Sequence, residues 1–363
     1  MKNFAWIATW KITRRCNLYC VYCDHASMLP ATHAERIDYN KVIKNIGAYS
    51  PKILNISGGE PTLVEELPKI LAQIKKQWNP YIRVVHNGTN PQKLIPCLPY
   101  LDRIVISLDG PDPVNKANRG ICAETVFKKL KEVLPEILNR KIEIFFNCVL
   151  TISNLKYMRQ LAQEAKNLSP AITVSYTPIM PPDCALSILN DKSLFNEFLQ
   201  IFDGLIQSGF SVMHTFDTIR QHSDFKHIKC YNQYFNIRVT PDGNVLTCAM
   251  NTPLSPQHYK YYFRKLFAKN SIIKAMDRIK KKAKQALSNN VDFSCSTICS
   301  CESWLDLIFM GIESNCIPFY AKGLAGRMSE ADYKSMQSFV NQYINPDFDV
   351  EYFKKIIDAI EKR

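Results

Sequence analysis

The sequence contains no run of about 18 apolar residues, so it predicts no membrane-spanning helix. Its first residues are interrupted by Lys2, Thr9 and Lys11 and contain no small-residue cleavage site, which favours a first strand over a secretory signal. No internal repeat or low-complexity linker is present. These absences predict a cytoplasmic globular protein, and 46% apolar with 22% charged residues is the ordinary composition of one.

Acidic residues are in deficit, with 33 against 46 basic ones, and the formal net charge is +13. Between Lys260 and Lys284 ten basic residues stand against Asp277 alone. Apolar residues recur at helical spacing there, so residues 260–287 predict a basic amphipathic helix. Its charges could be merely solvated, attract an acidic or phosphorylated substrate, or contact an anionic membrane surface. Nucleic acid is not an expected partner, because no RNA-binding module is recognisable.

The first half of the chain alternates short β-branched or aromatic runs with amphipathic stretches. This order predicts βαβ units and a parallel sheet. Six units predict an α/β fold, a partial (β/α)6 TIM-like barrel with its chemistry at the carboxyl ends of the strands. The predicted strands are Ala5–Thr13, Ile53–Ser57, Ile82–His86, Ile104–Leu108, Ile142–Leu150 and Ile172–Thr177, and the predicted helices are Ala34–Ala48, Leu63–Gln77, Ala123–Leu138 and Asn154–Leu168.

The pattern changes after about residue 185. A helix is predicted at Leu194–Ser208, and a β-hairpin follows, with strands Phe235–Thr240 and Asn244–Thr247 around the turn Pro241-Asp242-Gly243. Proline followed by Asp-Gly between two apolar runs favours a turn for steric reasons. The basic segment, a group of cysteines and two or three terminal helices complete the chain.

The 13 cysteines are odd in number and partly clustered, which without an export signal favours metal or cluster ligation over disulfides. Cys16, Cys20 and Cys23 form a CxxxCxxC motif directly after the first predicted strand. Three thiolates on one loop can hold three irons of a [4Fe–4S] cluster and leave the fourth iron open to an external ligand. The alternative is a structural zinc site completed by His25.

Further motifs close the next strands in order. Tyr22 precedes the last cysteine of the triad, and Ser57-Gly58-Gly59-Glu60-Pro61 ends the second strand. Two adjacent glycines permit a close backbone approach to a ligand. Asn87-Gly88 ends the third strand, and Ser107-Leu108-Asp109-Gly110 ends the fourth. With the cysteine triad, these motifs resemble those of the radical S-adenosylmethionine (SAM) superfamily over roughly residues 5 to 180.

The resemblance implies that the open iron chelates SAM and that an electron donor such as flavodoxin or ferredoxin reduces the cluster. A 5′-deoxyadenosyl radical then takes a hydrogen atom from the substrate. Asn87, Ser107 and Asp109 are equally compatible with simple caps or turns. The residues that the resemblance implies for SAM binding are Tyr22, Gly58, Gly59, Glu60, Asn87, Ser107, Asp109, Arg119 and Asn147.

A second cysteine group brackets the predicted hairpin. Twelve residues separate Cys230 from Gly243, and four more precede Cys248, which resembles the opening of a SPASM or shorter twitch extension. The resemblance implies an auxiliary [4Fe–4S] cluster completed by later cysteines. Cys295 and Cys301 are the preferred ligands, Cys299 is the next candidate, and Cys316 is a further one. A full SPASM set has seven cysteines and this chain has six, which favours one auxiliary cluster over two or none. Zinc would accept the same thiolates.

These interpretations divide the chain into a core barrel at 1–210, an auxiliary cluster domain with the basic helix at 211–320, and C-terminal helices at 321–363. Cys184 is a candidate hydrogen donor, against the simpler reading as a small buried apolar residue. Strand alternation predicts that Cys148 points towards the helices. Cys97 and Cys122 have no motif around them and are expected to be structural.

The function predicted from the resemblance is hydrogen abstraction from a peptide or protein, leading to oxidation, a cross-link or epimerisation. One alternative is a twitch-type dehydrogenase or epimerase that acts on a sugar, an aminocyclitol or another small natural-product intermediate. An alternative from another class is a non-catalytic iron–sulfur electron carrier or a zinc-stabilised scaffold.

Overall fold

A computed structural model of the chain describes residues 6–23, 29–179, 185–215, 228–229, 236–243, 245–246, 294–295, 308, 314–343 and 347–361. Across these ranges, none of the helices combines the length and the apolar character that a membrane crossing requires. The basic segment 260–287 lies outside the described residues.

One nine-stranded sheet forms the centre of the fold, in the order β9-β8-β1-β2-β3-β4-β5-β6-β7. All neighbours are parallel except the outermost pair, β8 and β9, which is antiparallel. The strands are β1 Ile7–Lys11, β2 Ile53–Ser57, β3 Tyr81–His86, β4 Arg103–Ser107, β5 Glu143–Leu150, β6 Ile172–Pro178, β7 Val212–His214, β8 Asn236–Val239 and β9 Val245–Leu246.

The described helices fall into two groups by position in the chain. Six lie between the strands of the sheet and three follow it. They are α1 Tyr39–Gly47, α2 Leu67–Trp78, α3 Asp112–Arg119, α4 Ala123–Asn139, α5 Met158–Leu168, α6 Lys192–Gln207, α7 Ile317–Ala321, α8 Glu330–Tyr343 and α9 Val350–Glu361.

The outer face of the sheet packs against the interleaved helices. Trp10, Ile56 and Ile104 belong to one apolar core with residues of α1, α2, α4, α5 and α6. Because successive strand residues point to opposite faces, every second residue is left for the concave face. Cys148 lies in the outer core and is 1% exposed, so the prediction that it points towards the helices is confirmed.

The concave face near the amino ends of the strands is filled by the C-terminal helices. Ile7, Ile53 and Phe145 form a second apolar core with residues of α7, α8 and α9. Gly323 follows α7, and a Cβ there would lie 2.7 Å from the Ile53 side chain, so the chain passes too closely for a larger residue. The packing leaves the carboxyl ends of the strands as the end of the barrel where described residues present polar groups.

A buried ion pair completes this closed end. The Arg103 side chain is 2% exposed, with Nη2 at 2.7 Å from Glu143 Oε2. The same Arg103 nitrogen donates to the Phe319 carbonyl at 2.6 Å, and its guanidinium stacks 4.2 Å from the Phe145 ring centroid. Lys322 pairs with the other Glu143 oxygen at 2.6 Å. Arg103, Glu143 and Lys322 therefore each have a charged partner, as burial demands.

The partial (β/α)6 barrel is confirmed, and all six predicted strands are present with shifts of at most two residues at either end. Helix α3, strand β7 and the 3-10 segment Pro91–Tyr100 were not predicted. Pro96 and Pro99 keep that segment from forming the regular helix that would repeat the βαβ pattern there.

The predicted hairpin is also present as β8 and β9. Its first strand pairs in parallel with β1, so the hairpin extends the main sheet. The proposed division of the chain at residues 210 and 320 stays a prediction.

Candidate active site

The cysteine triad lies on the loop that follows β1. Residues Arg15–Cys16 form a short parallel pairing with Leu29–Pro30, and the Cys23 amide donates to the Cys20 carbonyl at 3.0 Å, which closes a turn. The amide of Val21 donates to the carbonyl of Asn118 at 2.9 Å and so ties the loop to the end of α3. None of the three thiols is in a disulfide, and all three are half-buried.

Burial governs the acidity of these thiols. It raises the pKa of Cys16 above its usual value, and it raises the pKa of Cys20 to about 11, although the Arg119 guanidinium acts in the opposite direction. Repulsion from Cys23 and Cys16 adds to the shift at Cys20. Iron binds the thiolate form, so loading this site must release protons.

The two glycines after β2 allow the cysteine loop to pack against the strand end. Gly58 has a φ of +142°, and a Cβ there would lie 2.4 Å from the Thr13 carbonyl oxygen. A Cβ on Gly59 would lie only 2.0 Å from the Arg15 carbonyl oxygen. The amides of Gly59 and Glu60 donate to the Thr13 and Arg15 carbonyls at 2.8 and 2.7 Å. The close approach is thus made to the backbone of the loop, whereas contact with SAM stays a prediction.

Glu60 is 1% exposed, and its carboxylate is fully engaged by the protein. Oε1 accepts from the Thr62 amide at 3.0 Å and from the Thr62 hydroxyl at 2.7 Å. Oε2 accepts from the Asn87 amide at 2.8 Å. The side chain therefore caps the 3-10 turn at Pro61–Leu63 and joins the ends of β2 and β3.

Asn87 connects the end of β3 to the cysteine loop. Its Nδ2 donates to Asn17 Oδ1 at 2.7 Å, and its Oδ1 accepts from the Thr89 amide at 3.0 Å. Asn17 Nδ2 in turn donates to the Thr89 hydroxyl at 2.9 Å. Asn17 and Thr89 were missed from the sequence, where their only signal was proximity to Cys16 and to the Asn-Gly turn.

Asp109, Arg119 and Tyr22 form a buried charged group beneath the cysteines. Arg119 Nε lies 3.1 Å from Asp109 Oδ2, which also accepts from the Tyr22 hydroxyl. Asp109 Oδ1 accepts from the Val149 amide at 3.1 Å. Arg119 Nη1 approaches Cys20 Sγ at 4.0 Å. The arrangement joins β4, β5 and α3 to the cysteine loop.

The opposite charges of Arg119 and Asp109 stabilise each other. Burial opposes the positive charge of Arg119, but Asp109 keeps its pKa above the ordinary value. Burial raises the pKa of Tyr22 well above its usual range, more than the guanidinium lowers it. Tyr22 is therefore a neutral hydrogen-bond donor at physiological pH.

Ser107 and Asn147 differ from the other predicted SAM residues. They are register partners on β4 and β5, both half-buried. Phe146 and Cys148 lie in the outer core, so strand alternation directs Asn147 to the concave face. Neither the Ser107 nor the Asn147 side chain hydrogen-bonds to any described residue. Their polar groups are available to a ligand at the carboxyl end.

The structure describes only some of the other cysteines that the sequence singled out. Cys184, Cys230, Cys248, Cys299 and Cys301 lie outside the described residues. Of Cys295 only the backbone is described, in an antiparallel pairing opposite Ile228. Cys316 is 3% exposed within the apolar core of the closed end. Cys97 is fully buried in the outer core, in keeping with a structural role.

The donor set after β1 fits an iron–sulfur cluster. Three thiols lie on one loop and interact electrostatically, and Arg119 provides a neighbouring positive charge that offsets the negative charge of thiolates. A cluster offers each thiolate its own iron, so its ligands need not converge on a point. Among the described residues no three His, Cys, Asp or Glu side chains converge on a position for a single metal ion. His25, the fourth ligand of the zinc alternative, lies outside the described residues.

Comparison with known proteins covers both the sequence and the fold. The chain is 26% identical over 259 residues to a probable GTP 3′,8-cyclase of Methanococcus maripaludis (strain DSM 14266), covering 66% of this chain and 83% of that protein. It is 27% identical over 163 residues to an S-adenosylmethionine-dependent nucleotide dehydratase of Fibrobacter sp. (strain UWH6), covering 41% and 48%.

Its fold is similar to that of Streptococcus suis SuiB bound to precursor peptide SuiA, with a TM-score of 0.54, 13% identity, and coverage of 74% of this chain and 67% of that one. Residues 10–165 match the model of the Radical SAM superfamily, and they span the cysteine triad and every predicted SAM-binding residue. The ordered strand-end motifs and this match agree: residues 10–165 form a domain of the Radical SAM superfamily.

Proposed function

We propose that the chain reductively cleaves SAM to a 5′-deoxyadenosyl radical, which abstracts a hydrogen atom from a substrate held on the concave face of the barrel. The observation that carries this proposal is the fixation of Cys16, Cys20 and Cys23 over the carboxyl ends of β2, β3 and β4. Gly59, Asn87 and Arg119 approach the loop from those strands and from α3. A scaffold or electron carrier would not need polar groups converging there from successive strands.

Different residues have different roles in the proposed reaction. Cys16, Cys20 and Cys23 would hold three irons of a [4Fe–4S] cluster, which with SAM supplies the one-electron cleavage. Ser107 and Asn147 would hydrogen-bond SAM, because their polar groups have no other partner among the described residues. Glu60 and Asn87 act indirectly by fixing the strand ends and the loop in place.

The substrate proposed here is a small molecule. The curated relatives named as a GTP cyclase and a nucleotide dehydratase act by name on nucleotides and share 26–27% identity with this chain. The likeness to SuiB concerns the fold alone at 13% identity. A peptide or protein substrate, the prediction from the cysteine pattern, is the alternative.

We also propose one auxiliary cluster. The pairing of Ile228 with Cys295 brings two segments, 66 residues apart, next to each other just before Cys230 in the chain. This adjacency supports Cys295 as a partner of Cys230 and Cys248, with Cys299 and Cys301 as further ligands. Clustered thiols of this kind persist in a reducing compartment, which supports a cytoplasmic location and a donor such as flavodoxin or ferredoxin.

Anaerobic reconstitution tests the proposed function directly. The protein is loaded with iron and sulfide, reduced with dithionite and mixed with SAM, and 5′-deoxyadenosine is measured. The wild-type protein and Cys122→Ala should form it, and Cys20→Ala should not. Iron should approach about eight atoms per chain for two clusters, whereas about four would remove the auxiliary cluster from the proposal. Absence of 5′-deoxyadenosine from loaded wild-type protein would refute SAM cleavage.

A further inference from the structure

A buried guanidinium lies beside the cysteine loop. The Arg119 side chain is 6% exposed, and its Nη1 donates towards Cys20 Sγ at 4.0 Å. Arg119 is the last residue of α3, and the carbonyl of Asn118 before it accepts from the Val21 amide at 2.9 Å. The loop is thus bonded to α3 through the backbone, next to the point where the arginine approaches the sulfur.

Asp109 determines which part of this guanidinium faces Cys20. Its Oδ2 lies 3.1 Å from Arg119 Nε, and its Oδ1 accepts from Arg119 Nη2 at 3.1 Å. A guanidinium is a rigid planar fork, so a carboxylate on the edge formed by Nε and Nη2 leaves Nη1 directed away from it. The nitrogen that approaches Cys20 is therefore the one that Asp109 does not hold, and the positive charge lies closer to the sulfur than the negative one.

Asp109 is itself fixed by the barrel. Its Oδ1 also accepts from the Val149 amide of β5 at 3.1 Å. Its own amide donates to Asn115 Oδ1 at 2.9 Å, and its carbonyl accepts from Asn154 Nδ2 at 3.1 Å. Asn115 is fully buried and Asn154 is 1% exposed. Because buried groups hold the carboxylate, the ion pair keeps a fixed orientation towards the cysteine loop.

Burial lets the charge of Arg119 act on the loop with little screening. The Asp109 side chain has no exposed surface, and water and salt weaken the field of buried charges much less than that of exposed ones. Reduction of an iron–sulfur cluster adds one negative charge, and its potential depends on nearby charge and on hydrogen bonds to its sulfurs. A positive charge held at Cys20 therefore stabilises the reduced form more than the oxidised form.

We propose that Arg119 raises the reduction potential of the cluster on the cysteine loop and that Asp109 limits this rise, an inference that rests on the proposed function. Arg119 is in this role a positioning residue, because it acts through the Cys20 thiolate. An electron donor of a given potential then reduces a larger fraction of the protein. A tenfold change in that reduction equilibrium corresponds to about 59 mV for one electron.

This role differs from the SAM contact that the sequence resemblance implies for Arg119 and Asp109. A residue that only binds SAM changes the affinity for SAM, whereas a charge that acts through the Cys20 thiolate changes the potential before SAM is added. The two charges also act in opposite directions on the potential, since one favours and the other opposes the extra electron. A general disturbance of the loop would not give the two variants opposite signs.

Redox titration of the reconstituted protein without SAM, followed by electron paramagnetic resonance, tests the inference on the signal that Cys20→Ala lacks. Arg119→Gln should lower the equilibrium constant for reduction by about tenfold, or about 59 mV. Asp109→Asn should raise it, and the double variant should lie between wild type and Arg119→Gln. Arg14→Gln is the matched control: this arginine is 58% exposed two residues before Cys16, so solvent screening should keep its effect under about threefold.

Iron content is measured for every variant, because Arg119→Gln leaves the Asp109 carboxylate buried without its charged partner. The double variant buries no unpaired charge, so it decides the question if Arg119→Gln binds no iron, and a potential at or above that of wild type would overturn the inference. An unchanged potential in loaded Arg119→Gln would also overturn it, as would an unchanged or lower potential in Asp109→Asn. Weaker SAM binding at an unchanged potential would assign Arg119 to SAM instead. Failure of the proposed function itself would appear as loaded wild-type protein that forms no 5′-deoxyadenosine.

Discussion

Strands β4 and β5 have a pair of polar register partners at each end, and the two pairs differ in their contacts with the rest of the protein. At the start, Arg103 and Glu143 are paired, and Phe319 and Lys322 complete their contacts. At the finish, Ser107 and Asn147 lie side by side, and neither hydrogen-bonds to a described residue. The side chains of the first pair bond to other protein groups, while those of the second pair remain available for a ligand. The comparison separates polar residues that stabilise the barrel from those that we propose bind SAM.

The same division runs through the predicted SAM residues. Glu60, Asn87 and Asp109 lie at strand ends, yet each has its side chain occupied by neighbouring protein groups. Their described contacts stabilise the strand ends and the loop, and their contact with SAM stays a prediction. Mutations at the two classes should therefore separate effects on stability and loading from effects on SAM affinity.

The largest effect is expected from Gly59→Ala. The added Cβ would lie 2.0 Å from the Arg15 carbonyl oxygen, a contact that only backbone movement can relieve. The cysteine loop would shift, and iron loading and 5′-deoxyadenosine formation should both fall to background. Gly120→Ala is the control, since a Cβ there meets nothing within 4 Å. Its positive φ of +77° should cost only about 1 kcal/mol. Normal loading of Gly59→Ala would show that the close packing is not required.

At the closed end, Arg103→Met should destabilise the protein by about 3 kcal/mol, because it leaves Glu143 partly buried without its main partner. The expected result is a clear fall in the melting temperature with no change in 5′-deoxyadenosine formed per folded molecule. The double variant Arg103→Met with Glu143→Gln should recover part of the loss. A selective loss of SAM cleavage in a stable Arg103→Met protein would contradict the division between the two ends.

At the open end, Ser107→Ala and Asn147→Ala should have the opposite effect: SAM binding should weaken while stability is kept. Neither side chain has a hydrogen bond to a described residue to lose, so the melting temperature should stay almost unchanged. Each should weaken SAM binding by about tenfold, the equivalent of one lost hydrogen bond of about 1.4 kcal/mol. Equilibrium binding of SAM to the loaded protein measures this. Unchanged SAM affinity in both variants would remove Ser107 and Asn147 from the site.

The smallest effect concerns acid stability. Burial acts to raise the pKa of Glu143, but Arg103 and Lys322 outweigh it and hold the pKa below the usual value. A carboxyl whose pKa is lowered by folding stabilises the protein above its unfolded pKa and ceases to do so as the pH falls through the folded one. Wild-type stability should therefore decline more steeply below about pH 4.5 than that of Glu143→Gln. Parallel curves would contradict this role of the ion pair.

Local sequence signals were sufficient for much of the fold. Apolar runs bounded by turn residues predicted all six core strands, and Pro241-Asp242-Gly243 predicted the hairpin. The cysteine spacing and the strand-end motifs predicted which loops meet, because the carboxyl ends of parallel strands share one edge. The short helix α3 was missed because it contains few apolar residues, and three of its four buried residues are the polar Asn115, Asn118 and Arg119.

Local sequence patterns could not predict the contacts between distant segments of the chain. Arg103 reaches the carbonyl of Phe319 across 216 positions of sequence, so nothing near β4 indicated that the C-terminal helices fill the concave face. The glycines were expected to approach a ligand, whereas the sequence held no sign that the Thr13 and Arg15 backbone would occupy that space. Which strand-end side chains were already bonded likewise depended on tertiary distances.

The most direct test of the central claim is the electron paramagnetic resonance spectrum of the reduced protein with and without SAM. Three cysteine ligands leave one iron of the cluster open, so SAM should change the signal of that cluster in wild-type protein and in Cys122→Ala. Cys20→Ala should lack the SAM-sensitive signal altogether. A reduced-cluster signal that SAM leaves unaltered in the wild-type protein would contradict the account.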